Sequence, residues 1–467
     1  MPNGRRPEGA ASRLARITAL LFLCLGAAGA GAEGTASLEL FRAGIEADDA
    51  FELELDRARI QRANTEYVDA IRTLEDLRDQ VLDDHGQWDI RNVVVLTELA
   101  SVHKALGNFQ QAIGIYQEAV HLNRVNQGLH DVTQVEILED MSDVHTQLGD
   151  FESANQLQEY SFYVLERTYG RGSPAILPGL YRLASWYRRT GNIYSARALY
   201  QQAIAILEVN FGPDDIRLID ALHGFAATFR QERYPTRPLI SPQDDDDLQF
   251  STARGDFGNQ SGLYEDARLR QLNRYGDGEE ALLRVVRIVD GNPASTPRER
   301  VQARMDLADW YIVFDKWTAA FETYASARAL MDENAWDQER IDGFFGTPTP
   351  LVFPLPDPPR RAGYASGAEP QEGFVDLVYD VTDRGRVRRI DVAASQPPGL
   401  MDFRTRKAIK SARFRPRFEN GLPADTLGVE YRHAFVYFQR PEDAPAVETA
   451  ANDAEPEAVE AAAAAPQ

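Results

Sequence analysis

Hydrophobic and small residues recur along the chain with a period of 42 residues. Three segments repeat one turn pattern: LGNFQQA from Leu106, LGDFESA from Leu148 and TGNIYSA from Thr190. Around each segment, apolar residues keep the i, i+3, i+4 spacing of amphipathic helices. The pattern predicts units of two helices joined by a tight turn, which stack because a single helix pair cannot bury its apolar face.

Weaker copies extend this register in both directions. Tyr67 and Ala70 fill the matching positions one period earlier, and residues 307–327 form a degraded copy later in the chain. The segment GDGEEALLRVV, 276–286, is typical of the second helix of another unit. We therefore predict an all-α solenoid over 45–233 and further degenerate helical repeats over 263–335.

An acidic, proline-containing stretch interrupts the repeats. Prolines end the last regular helix near Arg233, and we expect residues 234–262 to form an insertion loop. Its four consecutive aspartates, Asp244 to Asp247, would suit calcium only with the alternating ligands and fixed glycine of a calcium loop. Since this spacing is missing, a solvated acidic loop is the favoured interpretation.

The residue composition changes again after the second set of repeats. Residues 336–362 are rich in proline and predict an extended linker. Residues 374–381 and 387–393 alternate between apolar and polar side chains on either side of a turn at 383–385, as in a β-hairpin. A helix over 402–411 and a strand over 428–438 complete a small α+β domain of ββαβ order, which we place at 363–440.

Side-chain positions in this domain follow from the same patterns. Within the helix, Asp402 is the expected N-cap, and we expect Phe403, Ala408 and Ile409 to be buried. The segment ARFRPRFENG follows the helix, with Ala412 and Phe414 on its apolar side and a turn at residues 420–421. Three cations of this segment are expected to point outward into solvent: Arg413, Arg415 and Arg417. Beyond it, the Ala-, Glu- and Pro-rich residues 441–467 predict a disordered tail.

The helical units resemble the tetratricopeptide repeat in a long-unit variant, over about residues 51–229. The resemblance implies a concave groove that is lined by the first helix of each pair and binds protein partners. The implied groove residues are Thr97, Ser101, Lys104, Glu139, Asp143, Thr146, Tyr181, Ser185 and Arg188. Because their charges are mixed, a merely solvated face explains them equally well.

The C-terminal residues resemble the C-terminal domain of TonB energy transducers. The matching features are the Gly373-x-Val375 strand start, the Asp383-x-Gly385-x-Val387 hairpin, and the motifs ARFRP and NGLP. The resemblance implies a periplasmic domain that adds a strand of an outer-membrane partner to its own sheet. The implied edge residues are Val429, Tyr431, His433, Phe435 and Tyr437. TonB transducers also carry a membrane anchor and a long proline-rich spacer, which this chain does not match.

The first 32 residues have the pattern of a signal peptide. Arginines precede a short apolar run, 17–25, and Ala30-Gly31-Ala32 is a cleavage signal. The apolar run is about half as long as a bilayer-spanning helix. This predicts export to the periplasm of a Gram-negative envelope, with membrane association only if the segment is retained. The single cysteine, Cys24, lies inside this segment, so no disulfide framework is expected in the exported protein.

Charge is distributed unevenly along the chain. The formal net charge is −22, which argues against nucleic-acid binding. Residues 373–440, however, contain 13 Lys and Arg against 8 Asp and Glu, a net of +5. We expect a basic module, which would bind an acidic partner or dock on the repeats themselves.

No catalytic, metal or cofactor site is predicted. The chain has neither a G-x-S-x-G nor an H-E-x-x-H motif. His103 and His145 are one period apart, but Tyr187 occupies the same slot, which favours a packing role over metal binding. The chain is therefore expected to be a non-enzymatic interaction scaffold. The alternatives are a TonB-type transducer with an uncleaved anchor, or an enzyme with a site within 235–300.

Overall fold

The computed structural model describes residues 50–235, 275–359 and 370–438. The predicted signal peptide, the Asp244–Asp247 run and the predicted tail lie outside these residues. The chain divides into two compact units, Met1–Leu183 and Ala184–Gln467. The boundary between them falls inside one helix, Leu177–Arg189.

The first unit is built from antiparallel helix pairs. Its helices are α1 (50–63), α2 (Tyr67–His85), α3 (Arg91–Ala105), α4 (Phe109–Gln127), α5 (Gln134–Leu148), α6 (Phe151–Tyr169) and the start of α7 (Leu177–Arg189), which a short 3-10 turn, Pro174–Ile176, precedes. The small residues Ala100 and Ala112 of one pair, and Ser142 and Ala154 of the next, are fully buried. Their size lets the paired helices approach closely, as the repeat pattern predicts.

Backbone geometry explains the recurring turn glycine. Gly107, Gly149 and Gly191 have φ angles of 78°, 79° and 86°, a left-handed conformation that glycine adopts without steric cost. The weaker copies place Thr65 and Asp315 in this slot at φ 64° and 61°. The turn is thus retained where the glycine is lost.

A second set of regularly spaced glycines lies between consecutive helix pairs, and it was not predicted from the sequence. Gly86, Gly128, Gly170 and Gly212 are also 42 residues apart, and each ends a second helix at a positive φ. In each case the glycine N–H donates to the carbonyl four residues earlier. The period therefore contains two chain reversals of similar geometry.

Among its described residues, the second unit contains the rest of α7 and seven further helices, of which six precede the strands. These are α8 (Ile193–Phe211), α9 (Leu218–Arg233), α10 (Tyr275–Gly291), α11 (Pro297–Val313), α12 (Trp317–Glu333) and α13 (Gln338–Phe345). Helix α9 packs against α10 as well as α8, and α11 packs against α12. Residues 236–274 are therefore inserted between the two helices of one pair.

The strands belong to the same unit. They are β1 (Thr349–Val352), β2 (Pro370–Val381), β3 (Val387–Gln396), β4 (Arg413–Arg415), β5 (Arg417–Glu419), β6 (Leu422–Ala424) and β7 (Thr426–Phe438). An antiparallel sheet has the order β3-β2-β7, while β1 pairs with β4 and β5 with β6. Helix α14 (Asp402–Lys410) packs on β3 and β2. The predicted hairpin, helix and final strand are confirmed.

Four predictions for this region are wrong. The expected linker, 336–362, holds α13 and β1, and β1 is tied to β4 by backbone pairing. Phe403 is 75% exposed rather than buried. Met401 is the N-cap of α14, because the carboxylate of Asp402 accepts hydrogen bonds from Ser395 and Gly399 instead. Arg415 is buried and does not point into solvent.

Candidate partner-binding sites

The predicted groove residues of the first unit lie on the first helices of their pairs, but their polar atoms already have partners. The hydroxyl of Thr97 donates to the carbonyl of Val93 at 2.7 Å, and that of Thr146 donates to Ser142 at 2.8 Å. Ser101 donates to the carbonyl of Thr97 and lies 3.0 Å from the Tyr116 hydroxyl. These hydroxyls therefore form hydrogen bonds within their own helix or helix pair.

The charged groove residues hold neighbouring helices together. Lys104 Nζ on α3 lies 2.9 Å from Asp140 and 3.2 Å from Asp143, both on α5. Arg59 on α1 pairs in the same way with Glu98 on α3 at 2.6 Å. Burial acts to lower the pKa of Lys104, but the two carboxylates outweigh it, so its pKa lies above the ordinary value. Much of the groove charge thus joins one repeat to the next.

A pocket of about 560 Å³ opens beside α5 in the first unit. Its acidic lining is Glu136, Glu139, Asp140 and Asp143, and its other walls are Val132, Val135, Leu165, Tyr169 and Arg182. The sequence placed Glu139 and Asp143 correctly on one surface. It missed the apolar wall, which α6, the first turn of α5 and the loop before it supply. Arg182 and Glu139 form an ion pair within this lining. Tyr181, the other groove residue of this unit, is half-buried.

Two predicted groove residues belong to the second unit. Ser185 is exposed, whereas Arg188 is half-buried. Arg188 Nε donates to Gln231 Oε1 at 3.3 Å, and Gln231 Nε2 donates back to the Arg188 carbonyl at 2.7 Å. This reciprocal pair joins α7 to α9.

Strand β7 lies at an edge of the three-stranded sheet. In the part of the chain that the structure describes, the only strand that β7 pairs with is β2, so the far side of residues 429–437 is not paired with another strand. The predicted edge residues Val429, Tyr431, His433, Phe435 and Tyr437 alternate onto the inner face of the sheet. Burial lowers the pKa of His433 and raises that of Tyr431. These five side chains pack toward the core of the module. A partner that adds a strand at this edge would therefore pair with the backbone of β7.

The two edges of this sheet differ in their protection. Strand β3 pairs with β2 through two irregularities, and it carries Arg389 at a φ of 50°. Bulges and charges of this kind discourage the addition of another strand. Strand β7 pairs with β2 through one irregularity, near Gly428, and has 13 residues without Pro or Lys. Its single cation, Arg432, pairs with Asp376 of β2 at 2.6 Å. Edge addition is thus easier at β7 than at β3.

A buried ion pair joins the strands to the last repeat. Arg415 donates from Nε and Nη2 to the two carboxylate oxygens of Asp309 on α11, at 2.9 and 2.6 Å. Its third contact is the carbonyl of Phe344 at 3.2 Å, and the buried Tyr324 also donates to Asp309 at 2.6 Å. Burial acts to lower the pKa of Arg415, but Asp309 outweighs this effect and raises it. We call Arg415, Asp309 and Tyr324 the arginine clasp.

Aromatic packing and a second carboxylate reinforce the arginine clasp. The ring of Phe418 packs edge-to-face on Tyr324 and on Phe345, with centroids 5.3 and 4.8 Å apart. Asp315, at the turn between α11 and α12, lies 3.0 Å from Arg386 of the hairpin turn. The strand-rich module is therefore docked on α11, α12 and α13. Of the two alternatives given for this basic module, the structure shows docking on the repeats, and binding of an acidic partner stays a prediction.

Sequence reasoning could not find the arginine clasp. Arg415 and Asp309 are 106 residues apart, and nothing local marks either of them. One signal was available: Asp309 follows the small residue Ala308, in the slot that Ser101, Asp143 and Ser185 occupy in the regular repeats. The repeat slot of Asp309 could thus be read from the sequence, but the cation that pairs with it, Arg415, could not.

The described residues contain no cluster of the side chains that bind metals. Within 50–235, 275–359 and 370–438, no three His, Cys, Asp or Glu side chains cluster as a metal site requires. His103 is buried, which lowers its pKa, while His145 lies 2.9 Å from Asp150. None of the helices in these ranges is long and apolar enough to cross a membrane. Residues 275–300 form α10 and the start of α11, and residues 236–274 lie outside the described ranges.

One part of the helical array matches a known protein family. Residues 176–236 match the family model of the tetratricopeptide repeat. The match covers α7, α8 and α9, and the other helix pairs form a similar, tetratricopeptide-like solenoid. No curated protein sequence matches the chain.

Solved structures of tetratricopeptide proteins are similar to the chain at low identity. Nearly identical TPR-like repeats of a kinesin light chain candidate from Podosopora anserina share 16% identity, with 53% of this chain and 98% of that chain covered and a TM-score of 0.37. BtubC from P. vanneervenii shares 13%, with 68% and 99% covered and a TM-score of 0.37. The yeast Sti1 TPR2AB domain in complex with pHSP90 shares 13%, with 64% and 97% covered and a TM-score of 0.22.

Proposed function

We propose that this protein is a non-enzymatic interaction scaffold of the Gram-negative cell envelope. It binds one partner at the tetratricopeptide groove and a second by strand addition at β7, in the manner of a TonB C-terminal domain. The periplasmic location rests on the signal-peptide pattern and on the TonB resemblance.

The open edge of β7 is the observation that carries this proposal. An extended partner segment placed beside β7 would gain a ladder of main-chain hydrogen bonds without any rearrangement of the sheet. The arginine clasp adds a property that TonB-like tethering lacks, because it holds this edge at one orientation on the last repeats. A partner would therefore meet a rigid surface instead of a module on a flexible linker.

Site-specific photo-crosslinking tests the proposal. Glu430 on β7 and Asp391 on β3 are both exposed and acidic, and both pair with Val378 of β2 from opposite sides. A benzophenone amino acid at position 430 should capture an envelope protein in the source cells, while the matched variant at position 391 should not. Equal capture from both edges, or none from β7, would show that strand addition is not the mechanism.

A second measurement tests the main-chain pairing. A synthetic peptide of the captured segment should bind the purified chain, and isotope-edited infrared spectra should show added β structure. A peptide that binds without this gain would point to side-chain recognition. Mass measurement of the mature protein tests the location separately: a start at Glu33 agrees with export and cleavage, and a retained N-terminus favours the anchored transducer.

A further inference from the structure

Helix α14 presents an aromatic and basic face to solvent. Phe403, Arg406, Lys407 and Lys410 follow the i, i+3, i+4, i+7 spacing, so they share one side of the helix. All four side chains are exposed, and Phe403 is 75% exposed. The opposite side is buried in the module core through Thr405 and Ile409. The sequence led us to expect Phe403 in that core, so its exposure requires an explanation.

The three cations on this face differ from most arginines of the chain. Arg59, Arg415 and Arg432 each pair with a carboxylate. In the described part of the chain, the side chains of Arg406, Lys407 and Lys410 have no ion pair or hydrogen bond. Lys407 and Lys410 lie in the last turn, where they complement the helix dipole. The dipole does not account for Arg406, nor for an exposed phenylalanine at the other end of the face.

We propose that this face of α14 binds the surface of an anionic phospholipid bilayer. The face belongs to a single helix of nine residues, so it is convex and suits a flat surface better than an extended peptide. Cations beside an exposed aromatic ring are the combination that membrane-surface helices use, with the ring entering the headgroup region. Because the chain outside 373–440 carries a formal charge of −27, such a surface would attract this face and repel the remainder, which would orient the molecule.

Vesicle co-sedimentation of the purified full-length chain tests this proposal. The chain should bind vesicles of phosphatidylethanolamine with 30% phosphatidylglycerol (roughly a bacterial anionic fraction) at low salt, and bind phosphatidylcholine vesicles far more weakly. The variant K407Q/K410Q should lose affinity by more than about tenfold, since each cation near an anionic surface contributes roughly fivefold. F403S should weaken binding without changing its dependence on salt.

The matched control is R298Q/R384Q, which removes the same charge from two exposed arginines that lie off this face. It should bind as tightly as the wild-type chain. Failure of the wild-type chain to sediment, or equal losses in the two double variants, would overturn the proposal. Tighter binding to polyglutamate than to the vesicles at equal salt would also overturn it, in favour of an acidic protein partner. No protein partner is needed, so the result is independent of the crosslinking at β7.

Discussion

Two pairs of aspartates in different units occupy the same slots of the repeat. Asp140 and Asp143 flank the small residue Ser142 on α5, and Asp306 and Asp309 flank Ala308 on α11. The first pair holds Lys104 of a neighbouring repeat, with side chains that remain 31% and 61% exposed.

In the second pair, Asp309 holds Arg415 of the strand-rich module, with side chains only 14% and 10% exposed. The slot supplies a carboxylate in both units. The tertiary structure decides which cation pairs with that carboxylate and how much of the ion pair is exposed to solvent. The same repeat chemistry thus stacks repeats in one unit and docks a module in the other.

Removing the buried carboxylate should have the largest effect. D309A leaves the guanidinium of Arg415 buried without its counter-charge, and we expect a loss of about 3–5 kcal/mol in the free energy of unfolding. Urea denaturation followed by tryptophan fluorescence measures this loss. The double variant D309A/R415M should recover part of it, because no buried charge remains unpaired. A loss below about 1 kcal/mol in D309A would mean that the arginine clasp is solvated.

Acid should destabilise both units, the first through the buried His103 and the second through the half-buried His433. Burial lowers the pKa of His103 and of His433, so the folded chain prefers the neutral ring. Stability is then complete above the ordinary histidine pKa of about 6.5 and falls as pH drops below it, because the unfolded chain binds the proton first. H103Y, which inserts the residue found in the equivalent slot at Tyr187, should reduce this loss between pH 7.5 and 5.5. Identical pH profiles for the two proteins would rule out this role of His103.

The exposed counterpart of the arginine clasp should contribute much less. K104M removes the ion pairs with Asp140 and Asp143 but keeps the aliphatic stem, and we expect a loss of no more than about 1 kcal/mol. The same denaturation experiment at 0.05 and 0.5 M salt provides the control, since screening should narrow the difference between K104M and wild type. A loss comparable to that of D309A would contradict the contrast between the two slots.

The smallest expected change in stability is at the position of the recurring turn glycine, which Thr65 and Asp315 occupy in the weaker copies. T65G should raise the free energy of unfolding by about 0.5 kcal/mol, because glycine relieves the positive φ but adds freedom to the unfolded chain. D315G should not have this benefit, since Asp315 also pairs with Arg386 and Arg233. Thermal denaturation of both variants compares them. Stabilisation by D315G would show that those ion pairs contribute little.

Local patterns predicted the parts of the fold that depend on local spacing. The 42-residue period identified the helix pairs, and alternation identified the hairpin of β2 and β3. The groove was predicted less well. Partner binding by these residues stays a prediction, and Lys104 and Glu139 proved to be paired with charges on neighbouring helices. A sequence shows that a polar residue faces out of its own helix, and it does not show what another helix places opposite.

The segment 402–415 separates what the sequence determined from what the tertiary structure decided. The short strand β4 was not predicted. Periodicity alone determined the helix before it, since backbone conformation responds to nearby residues. It also suggested that Phe403 is buried and Arg415 exposed, and both are reversed. Asp309, 106 residues away, makes the burial of an arginine favourable. The module core is filled by other side chains, which leaves Phe403 outside it. Burial depends on partners that only the folded chain brings together.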